Sequence, residues 1–255
     1  MGTAIVTAGG SNLGAAISLG LAAQGHDVVI TCLNDPAEYG GTLGRIEALG
    51  RRAWAVKSDV GAKADVDRLF AWFGDAIAPA PDILVNNAGV QTWASFLDLE
   101  EADWDRVIRT NLKGTFLNTQ AAAKMMVAAK RPGRIVNIGS GCGQTPFLNL
   151  VDYTASKGGI EMLTKSAAVE LGPYGIGVNC VAPGSIETER TKLEAPDYAR
   201  DWSRITPLRR IGTLDDVANA VCFLTDERSG FITGQTLTVD GGVFTQTNWP
   251  HEGYS

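Results

Sequence analysis

The sequence predicts an α/β protein whose core is a single doubly wound parallel sheet of about seven strands, with helices on both faces. Apolar, strand-like runs alternate with helical patterns along the 255 residues, as expected for successive βαβ units. Five of these runs end in polar or glycine-rich sequences, namely AGGSNLG, SDVG, NNAGVQ, IGSGCGQ and VAPGSIET. Ligands bind at the carboxyl ends of parallel strands, so these five sequences predict a shared binding edge.

The strands are predicted where β-branched and aliphatic residues form short runs bounded by glycine, proline or polar residues. In chain order they are residues 3–7, 27–33, 52–57, the run PDILVNN, 134–138, 176–181 and 236–239. The connecting segments carry apolar residues at helical spacing, and a glycine at position 25 or 50 can end the first two helices. The predicted helices are AAISLGLAAQG, a segment ending near Gly50, AKADVDRLFAWFGDAI, and residues 99–129, 152–171 and 214–224.

A hydrophobic content of 45% is enough to bury one large core, and we expect residues 1–255 to form a single domain. Residues 185–208 form the longest irregular stretch, with a short helix, and are predicted to be a substrate lid. The C-terminal tail, residues 243–255, either frays or reaches toward a neighbouring subunit.

Charge and cysteine content exclude several classes of function. Scattered basic residues and a net charge of −6 do not favour nucleic acid. Four dispersed cysteines and two histidines show no spacing typical of a metal site or disulfide framework. Without a targeting segment or a membrane-spanning run, the sequence is expected to be soluble, cytoplasmic and not membrane-bound.

Tyr153 and Lys157 are the first candidates for chemistry, because a spacing of four puts them on one face of a helix. An ammonium beside a phenol stabilises the phenolate, so the tyrosine can exchange protons nearer neutrality than its ordinary pKa of about 10. Such a pair also occurs by chance on solvated helices, so its meaning depends on the rest of the chain.

The turn between the first strand and helix can hold a pyrophosphate. Its glycines allow close approach of a ligand to backbone N–H groups, and the positive end of the helix attracts anions. A glycine-rich turn is also an ordinary connector, so this motif is weak by itself.

Taken together, these features resemble the single-domain form of the short-chain dehydrogenase/reductase family, which has a Rossmann-like fold. The resemblance covers essentially the whole chain. It is carried by NNAG ending at Gly89, Asn111, Ser140, the pair Tyr153 and Lys157, the sequence PGSIET, and the terminal ITGQTLTVDGG.

The resemblance implies a catalytic tetrad of Ser140, Tyr153, Lys157 and Asn111. Ser140 would polarise the substrate oxygen and Tyr153 would exchange its proton, while Lys157 lowers the phenol pKa and binds the nicotinamide ribose. Asn111 would hold a water in the proton path, and hydride would pass between substrate and nicotinamide. Without the resemblance, both residues have a purely structural alternative: Asn111 could simply bend its helix, and Ser140 could simply form a turn.

The resemblance also implies a set of cofactor contacts at the strand ends. They are Ala8, Gly9, Ser11, Asn12, Leu13, Gly14, Cys32, Leu33, Asn34, Asp59, Val60, Asn87, Ala88, Gly89, Tyr153, Lys157, Pro183, Gly184, Ile186 and Thr188. The family's turn has glycine where this chain has Ala8 and Asn12. Asn tolerates the left-handed conformation and is expected to preserve the turn. Asp59 would contact the adenine or cap the following helix.

The identity of the nicotinamide cofactor is less strongly encoded. Cys32 replaces the aspartate with which the family's NAD enzymes grip the ribose, and residues 31–44 contain no cation for the 2′-phosphate of NADP. NAD is therefore favoured, with NADP or dual use possible.

The substrate pocket is predicted to include Trp93, Gly141, Cys142, Gln144, Ser185 and Trp202. Gln144 and Glu187 could bind a small sugar or polyol, whereas Tyr198 and Trp202 could cover an acyl chain or cyclic ketone, or simply pack under the loop.

The predicted activity is oxidoreduction of a secondary alcohol or ketone, with a 3-oxoacyl or cyclic ketone reductase as the alternative. A cofactor-sensing regulator and a non-redox lyase are further alternatives, and Lys157 disfavours the lyase. Small residues on the helices that carry Ala121 and Ala155 allow close helix contact, and the resemblance implies a homotetramer built as a dimer of dimers.

Overall fold

A computed structural model describes residues 2–245, except for the side chains of residues 190 and 194. Within this range, seven parallel strands form one sheet in the order β3-β2-β1-β4-β5-β6-β7. They are β1 (Thr3–Val6), β2 (Asp27–Cys32), β3 (Ala53–Lys57), β4 (Ile83–Asn86), β5 (Gly133–Ile138), β6 (Ile176–Pro183) and β7 (Thr236–Val239). The predicted doubly wound parallel sheet is confirmed. The strand order reverses between β1 and β4, which is where such sheets bind ligands.

The α-helices that connect and follow these strands are numbered in chain order. They are α1 (Asn12–Ala23), α2 (Gly40–Ala48), α3 (Lys63–Ala76), α4 (Glu101–Val107), α5 (Gly114–Ala128), α6 (Val151–Leu171), α7 (Glu189–Glu194), α8 (Tyr198–Ile205) and α9 (Leu214–Thr225). Within residues 2–245, none of these helices combines the length and apolarity needed to cross a bilayer.

Alternate residues of each strand supply two separate apolar cores, one on each face of the sheet. In β1, Ala4 and Val6 pack with α1, α2 and α9, whereas Ile5 packs with α3, α5 and α6. This division follows from the period of two in a strand, which turns successive side chains to opposite faces. It also explains the near-continuous apolar strands, because both faces are covered.

The predicted helix over residues 99–129 is interrupted by a π-helical segment, Ile108–Lys113, that joins α4 to α5. Asn111 lies inside this segment. Its side chain bonds to the loop that follows β4, and Thr115 Oγ1 donates 2.7 Å to its backbone carbonyl. A π-bulge of this kind is frequent at functional sites.

The predicted lid, residues 185–208, contains two helices, α7 and α8, where the sequence predicted one short helix. Thr188 begins α7 with a capping box, since its Oγ1 accepts from the backbone N–H of Thr191 while Thr191 Oγ1 accepts from that of Thr188. Of the predicted tail, residues 243–245 are described, and residues 246–255 lie outside the described part of the chain.

Candidate active site

Helix α6 holds Tyr153 and Lys157 on the face that looks toward the carboxyl end of β5. The ammonium of Lys157 lies 5.4 Å from the centroid of the Tyr153 ring and donates a 2.7 Å hydrogen bond to the carbonyl of Ile138. Only 3% of Lys157 is exposed, and this desolvation lowers the pKa of Lys157 from 10.5 to about 8. A cation is thus held beside the phenol inside the protein.

Asn111 is fully buried behind this pair and ties two elements together. Its Oδ1 accepts from the backbone N–H of Val90 at 2.8 Å, and its Nδ2 donates to the Val90 carbonyl and to Ser156 Oγ. Ser156 lies between Tyr153 and Lys157 on α6, so Asn111 fixes the loop after β4 against the catalytic helix.

Ser140 follows β5 and lines the same cavity as Tyr153 and Lys157. Its Oγ accepts a 3.1 Å hydrogen bond from the backbone N–H of Cys142, and its hydroxyl also lies within hydrogen-bond reach of the Cys142 thiol.

A cavity of about 540 Å³ lies above this edge of the sheet. Many of the predicted site residues line it, namely Leu13, Asn87, Gly89, Ser140, Tyr153, Lys157, Pro183, Gly184, Ile186 and Thr188. Tyr198, which was predicted to cover the substrate, also lines the cavity, whereas other wall residues were not predicted, including Val90, Gln91, Arg106 and Thr191. No motif marks these positions; Gln91, in NNAGVQ, and Arg106, on the helical pattern before Asn111, carry the nearest signals.

The turn after β1 adopts the conformation expected for glycine even where glycine is replaced. Ala8 and Asn12 both have positive φ angles, 50° and 45°. Gly14 cannot carry a side chain, since a Cβ there would lie 2.0 Å from the carbonyl oxygen of Ala8. The prediction that Asn12 preserves the turn is consistent with this geometry.

Two polar residues join this turn to the end of β4. Thr7 Oγ1 accepts from the backbone N–H groups of Asn87 and Ala88, and Asn87 Nδ2 donates 3.0 Å to the Thr7 carbonyl. The first and fourth strand ends are therefore held in one fixed arrangement.

The end of β2 differs from the predicted contact set. Cys32 is buried, and its thiol lies 3.6 Å from the Asn34 carbonyl and 3.7 Å from that of Val56, so it faces the protein and not the binding edge. Burial raises the pKa of the Cys32 thiol. Leu33 is 61% exposed, and Asn34 donates 3.1 Å to Glu38. Leu33 and Asn34, with the local backbone, are the groups that a ribose could meet here.

Asp59, at the end of β3, is already engaged. One carboxylate oxygen accepts from the backbone N–H of Gly61 at 2.9 Å, and the other forms a 2.5 Å ion pair with Arg109. The N-cap residue of α3 is Ala62, so Asp59 forms the turn before the helix and does not cap it. Val60 beside it is buried against Gly114.

None of the six residues predicted to contact substrate is among the residues that line the cavity. Trp93 is 63% exposed, Ser185 is buried, and the Trp202 ring packs on Phe147 and Tyr198. Trp202 therefore packs under the loop, which was the alternative prediction for this residue. Tyr198, in contrast, lines the cavity.

The other predicted substrate contacts are occupied by neighbouring residues. Gln144 donates to Glu161 and Thr238, and Glu187 pairs with Lys192. Cys142 is partly buried, which raises the pKa of its thiol. Gly141 is covered by the ring of Phe244, at a position where a Cβ would lie 1.8 Å from a ring carbon.

The groups at this edge fit a dinucleotide. Helix α1 has no acidic residue in its first turn, and its N-cap residue, Ser11, makes no side-chain capping bond. The first backbone N–H groups of α1 are therefore available to a diphosphate beside the glycine turn. Among residues 2–245, no group of three or more His, Cys, Asp and Glu side chains is placed to hold a metal. Fold and strand-end geometry together are those of the dinucleotide-binding class of α/β proteins.

Comparison with known proteins gives the family. A model described as enoyl-(acyl carrier protein) reductase matches residues 7–244. The chain is 43% identical over 245 residues to a subunit of (2S)-[(R)-hydroxy(phenyl)methyl]succinyl-CoA dehydrogenase from Thauera aromatica, covering 94% of this chain and 95% of the relative. It is 39% identical over 248 residues to mouse (Mus musculus) (3R)-3-hydroxyacyl-CoA dehydrogenase, with the same two shares.

Solved structures agree with these relatives. A gluconate 5-dehydrogenase from Burkholderia cenocepacia, crystallised with NADP and tartrate, superposes with a TM-score of 0.90 at 34% identity, covering 96% of each chain. The protein belongs to the short-chain dehydrogenase/reductase family. It is an oxidoreductase.

Proposed function

We propose that this protein interconverts a secondary alcohol and a ketone with the tetrad Ser140, Tyr153, Lys157 and Asn111. The observation that carries the proposal is that Tyr153, Lys157 and Ser140 line one cavity at the carboxyl edge of the sheet. A phenol, a buried ammonium and a hydroxyl are the groups that such a reaction needs around the substrate oxygen.

Each residue of the tetrad has a distinct task in this proposal. Ser140 donates its hydroxyl proton to the substrate oxygen and orients it, while Tyr153 gives up or takes the proton that this oxygen gains or loses. A nicotinamide bound at this edge would accept or supply the hydride. Lys157 has used one of its three N–H groups on Ile138, so two remain for ribose hydroxyls and for the phenol.

Asn111 acts mainly as a support. Both N–H groups of its side-chain amide are used by Val90 and Ser156, so a water in the proton path would have to donate to Oδ1, which already accepts from Val90, or to the backbone carbonyl, which already accepts from Thr115. A carbonyl oxygen has two lone pairs, so this arrangement leaves room for one water.

Both nicotinamide cofactors stay candidates. The sequence favours NAD through the lack of a cation in residues 31–44, while the gluconate 5-dehydrogenase with this fold was crystallised with NADP. A ribose bound at the end of β2 would contact the exposed Leu33, Asn34 and backbone groups. These uncharged groups do not strongly favour the 2′-hydroxyl of NAD or exclude the 2′-phosphate of NADP.

The proposed substrate is a small polyhydroxylated molecule such as a sugar or polyol. The relative that binds tartrate and is named for gluconate supports this class. A 3-hydroxyacyl or 3-oxoacyl compound is the second candidate, supported by the hydroxyacyl-CoA dehydrogenase among the relatives.

A homotetramer in the cytoplasm completes the proposal. Helices α5 and α6 carry exposed apolar side chains, Phe116 on α5 and Met162 and Val169 on α6, which fits helix pairing between subunits. Cys32, Cys142, Cys180 and Cys222 form no disulfides, which suits a reducing compartment. Light scattering of the purified protein and subcellular fractionation test these two statements.

The decisive experiment is a panel of sugars, polyols, 3-hydroxyacyl compounds and simple secondary alcohols, offered with NAD and with NADP while reduced cofactor is followed by absorbance. Turnover of at least one alcohol is expected. A complete lack of cofactor reduction, with cofactor binding verified by titration, would contradict the proposal. The ranking of the compounds separates the sugar class from the acyl class.

A further inference from the structure

Arg106 introduces a second positive charge into the wall of the catalytic cavity. It lies in the last turn of α4, is partly exposed, and lines the cavity together with Tyr153, Ser140 and Lys157. Among the described residues that line this cavity, Arg106 and Lys157 carry charge, and no Asp or Glu does. The described wall is therefore positive overall.

The guanidinium is held in place by two neighbours that use only part of it. Its Nη2 donates 2.8 Å to Thr92 Oγ1 and 2.8 Å to Asp103 Oδ1, and its Nε lies 3.3 Å from the same carboxylate oxygen. Among the described residues, Nη1 makes no hydrogen bond. Both N–H groups of Nη1 are therefore left to a ligand.

Asp103 does not cancel this capacity. Its bond to Arg106 is an ion pair of the i, i+3 type on one helix, with both side chains more than 40% exposed. Such pairs are weak in water, whereas a guanidinium retains donors for a further carboxylate or phosphate oxygen. Thr92 lies in the loop after β4, so it keeps the guanidinium next to the cavity.

We infer that Arg106 recognises an anionic group of the substrate, so the natural substrate is a hydroxy acid, a keto acid or a comparably anionic alcohol. This inference rests on the proposed function and narrows its substrate class. Lys157 donates to the Ile138 carbonyl and acts beside the reacting carbon of the substrate. Among the described residues of the cavity wall, Arg106 is therefore the cation that can bind the other end of the substrate.

The test uses pairs of compounds that differ in charge and little else: 3-hydroxybutanoate with its methyl ester, and gluconate with glucitol. For wild type we expect the acid of at least one pair to have the higher kcat/KM. The R106Q variant should raise KM for that acid by about 10- to 100-fold, the range expected for one charge-assisted hydrogen bond, and should change kcat by less than about threefold. Its neutral partner should be affected by less than about twofold.

Three further variants separate recognition from structure. R106K should recover most of the lost affinity because it keeps the charge. D103N should lower KM for the acid, since it removes the competing carboxylate, and should leave the neutral compound unchanged. R68Q removes an arginine on α3 that also bonds an aspartate at i, i+3 and lies outside the cavity wall, and it should change neither.

The outcomes distinguish this inference from the proposed function. If wild type prefers the neutral compound of each pair, or if R106Q impairs both members equally, Arg106 is not the anion-recognising group, although the oxidoreductase proposal stands. If no compound of any charge is turned over with either cofactor, the proposed function fails and this inference fails with it.

Discussion

The ammonium of Lys157 lies 5.4 Å from the centre of the Tyr153 ring, and Lys157 as a whole is only 3% exposed. Desolvation lowers the pKa of Lys157 from 10.5 to about 8, so at neutral pH a charge is kept in a place that disfavours it. The difference corresponds to about 3 kcal/mol, at about 1.4 kcal/mol for each pKa unit. Strongly perturbed groups of this kind are concentrated at functional sites.

We therefore predict that K157M is more stable than wild type but inactive. In the absence of cofactor, the free energy of unfolding at pH 7 should rise by about 1–2 kcal/mol, which is less than the full desolvation cost because the bond to Ile138 is lost. Denaturant unfolding measures the first effect and the alcohol panel the second. A less stable K157M protein would show that the bond to Ile138 outweighs desolvation.

The same relationship predicts a pH dependence. Between pH 8 and 10.5 the unfolded chain keeps the proton on Lys157 while the folded chain releases it, so the unfolded state binds more protons and wild-type stability rises with pH. The advantage of K157M should be greatest below pH 8 and should shrink toward pH 10.5. Unfolding curves of both proteins at several pH values measure this; a constant difference across the range would contradict it.

Removal of the Tyr153 hydroxyl should abolish proton transfer and leave cofactor binding largely intact. We expect Y153F to lower kcat by about 10²- to 10⁴-fold, the usual contribution of a positioned acid or base. The dissociation constant for the cofactor should stay within about threefold of wild type, measured by fluorescence titration. Y174F, which alters an exposed tyrosine just after α6, is the matched control and should keep full activity.

The sheet and the catalytic helix could be predicted from the sequence because both follow from local periodicity. Strands of two-sided apolar character and a helix with Tyr153 and Lys157 at a spacing of four need no knowledge of distant contacts. The predicted helix over residues 99–129 contained Asn111 correctly, but the π-helical segment depends on its bonds to the Val90 backbone, which only the folded chain brings near.

The substrate wall could not be predicted in the same way. Gln144 and Trp202 looked available in the sequence, yet they are taken by Glu161 and Phe147, which come from other segments. Arg106 faces the cavity because α4 packs beside α6, a relationship that no local pattern encodes. The direction of the Cys32 side chain could not be predicted for a related reason, since the direction of the last side chain of β2 depends on where the strand ends.

The turn after β1 predicts a gain in stability from glycine at position 8. Ala8 has a φ of 50°, a conformation that costs an L-residue about 1–2 kcal/mol and glycine almost nothing. After the greater freedom of glycine in the unfolded chain is subtracted, A8G should be more stable by about 0.5–1 kcal/mol. A121G, in the middle of α5, should instead lose about 1 kcal/mol because glycine is the weaker helix former, and thermal unfolding compares the two.

The affinity of A8G for cofactor should change by less than about threefold, because the wild-type turn already has the glycine conformation. A large gain in affinity would mean that the Ala8 methyl group obstructs the ligand. Isothermal titration with NAD and NADP measures this directly.

Leu33 predicts how cofactor preference can be changed. It is exposed immediately after β2, where a 2′-phosphate would be placed. The neighbouring ionisable residues, Asp35 and Glu38, are acidic, so no cation is present there to bind the phosphate. L33R should raise the ratio of kcat/KM for NADP to that for NAD by about tenfold or more, through one charge-assisted contact to phosphate. L49R adds the same charge at the far end of α2 and should leave the ratio unchanged; equal effects would point to long-range attraction alone.

Phe244 and Gly141 predict that the segment after β7 positions the catalytic loop. The Phe244 ring occupies the space of a Gly141 side chain, with a Cβ placed 1.8 Å from its Cε2, and it also packs edge-on to Phe147 at 5.8 Å. Gly141 follows Ser140 directly, so G141A should displace either the ring or the serine and lower kcat by about tenfold or more.

The double variant G141A/F244A distinguishes these two causes. If the ring is the obstacle, its removal makes space for the alanine methyl group, and the double variant should recover activity toward that of F244A alone. The effects of the two substitutions would then be strongly non-additive, as expected for residues in contact. Additive losses in kcat, with unfolding curves that verify a folded protein, would show that Gly141 is required for its backbone and not for the space that Phe244 fills.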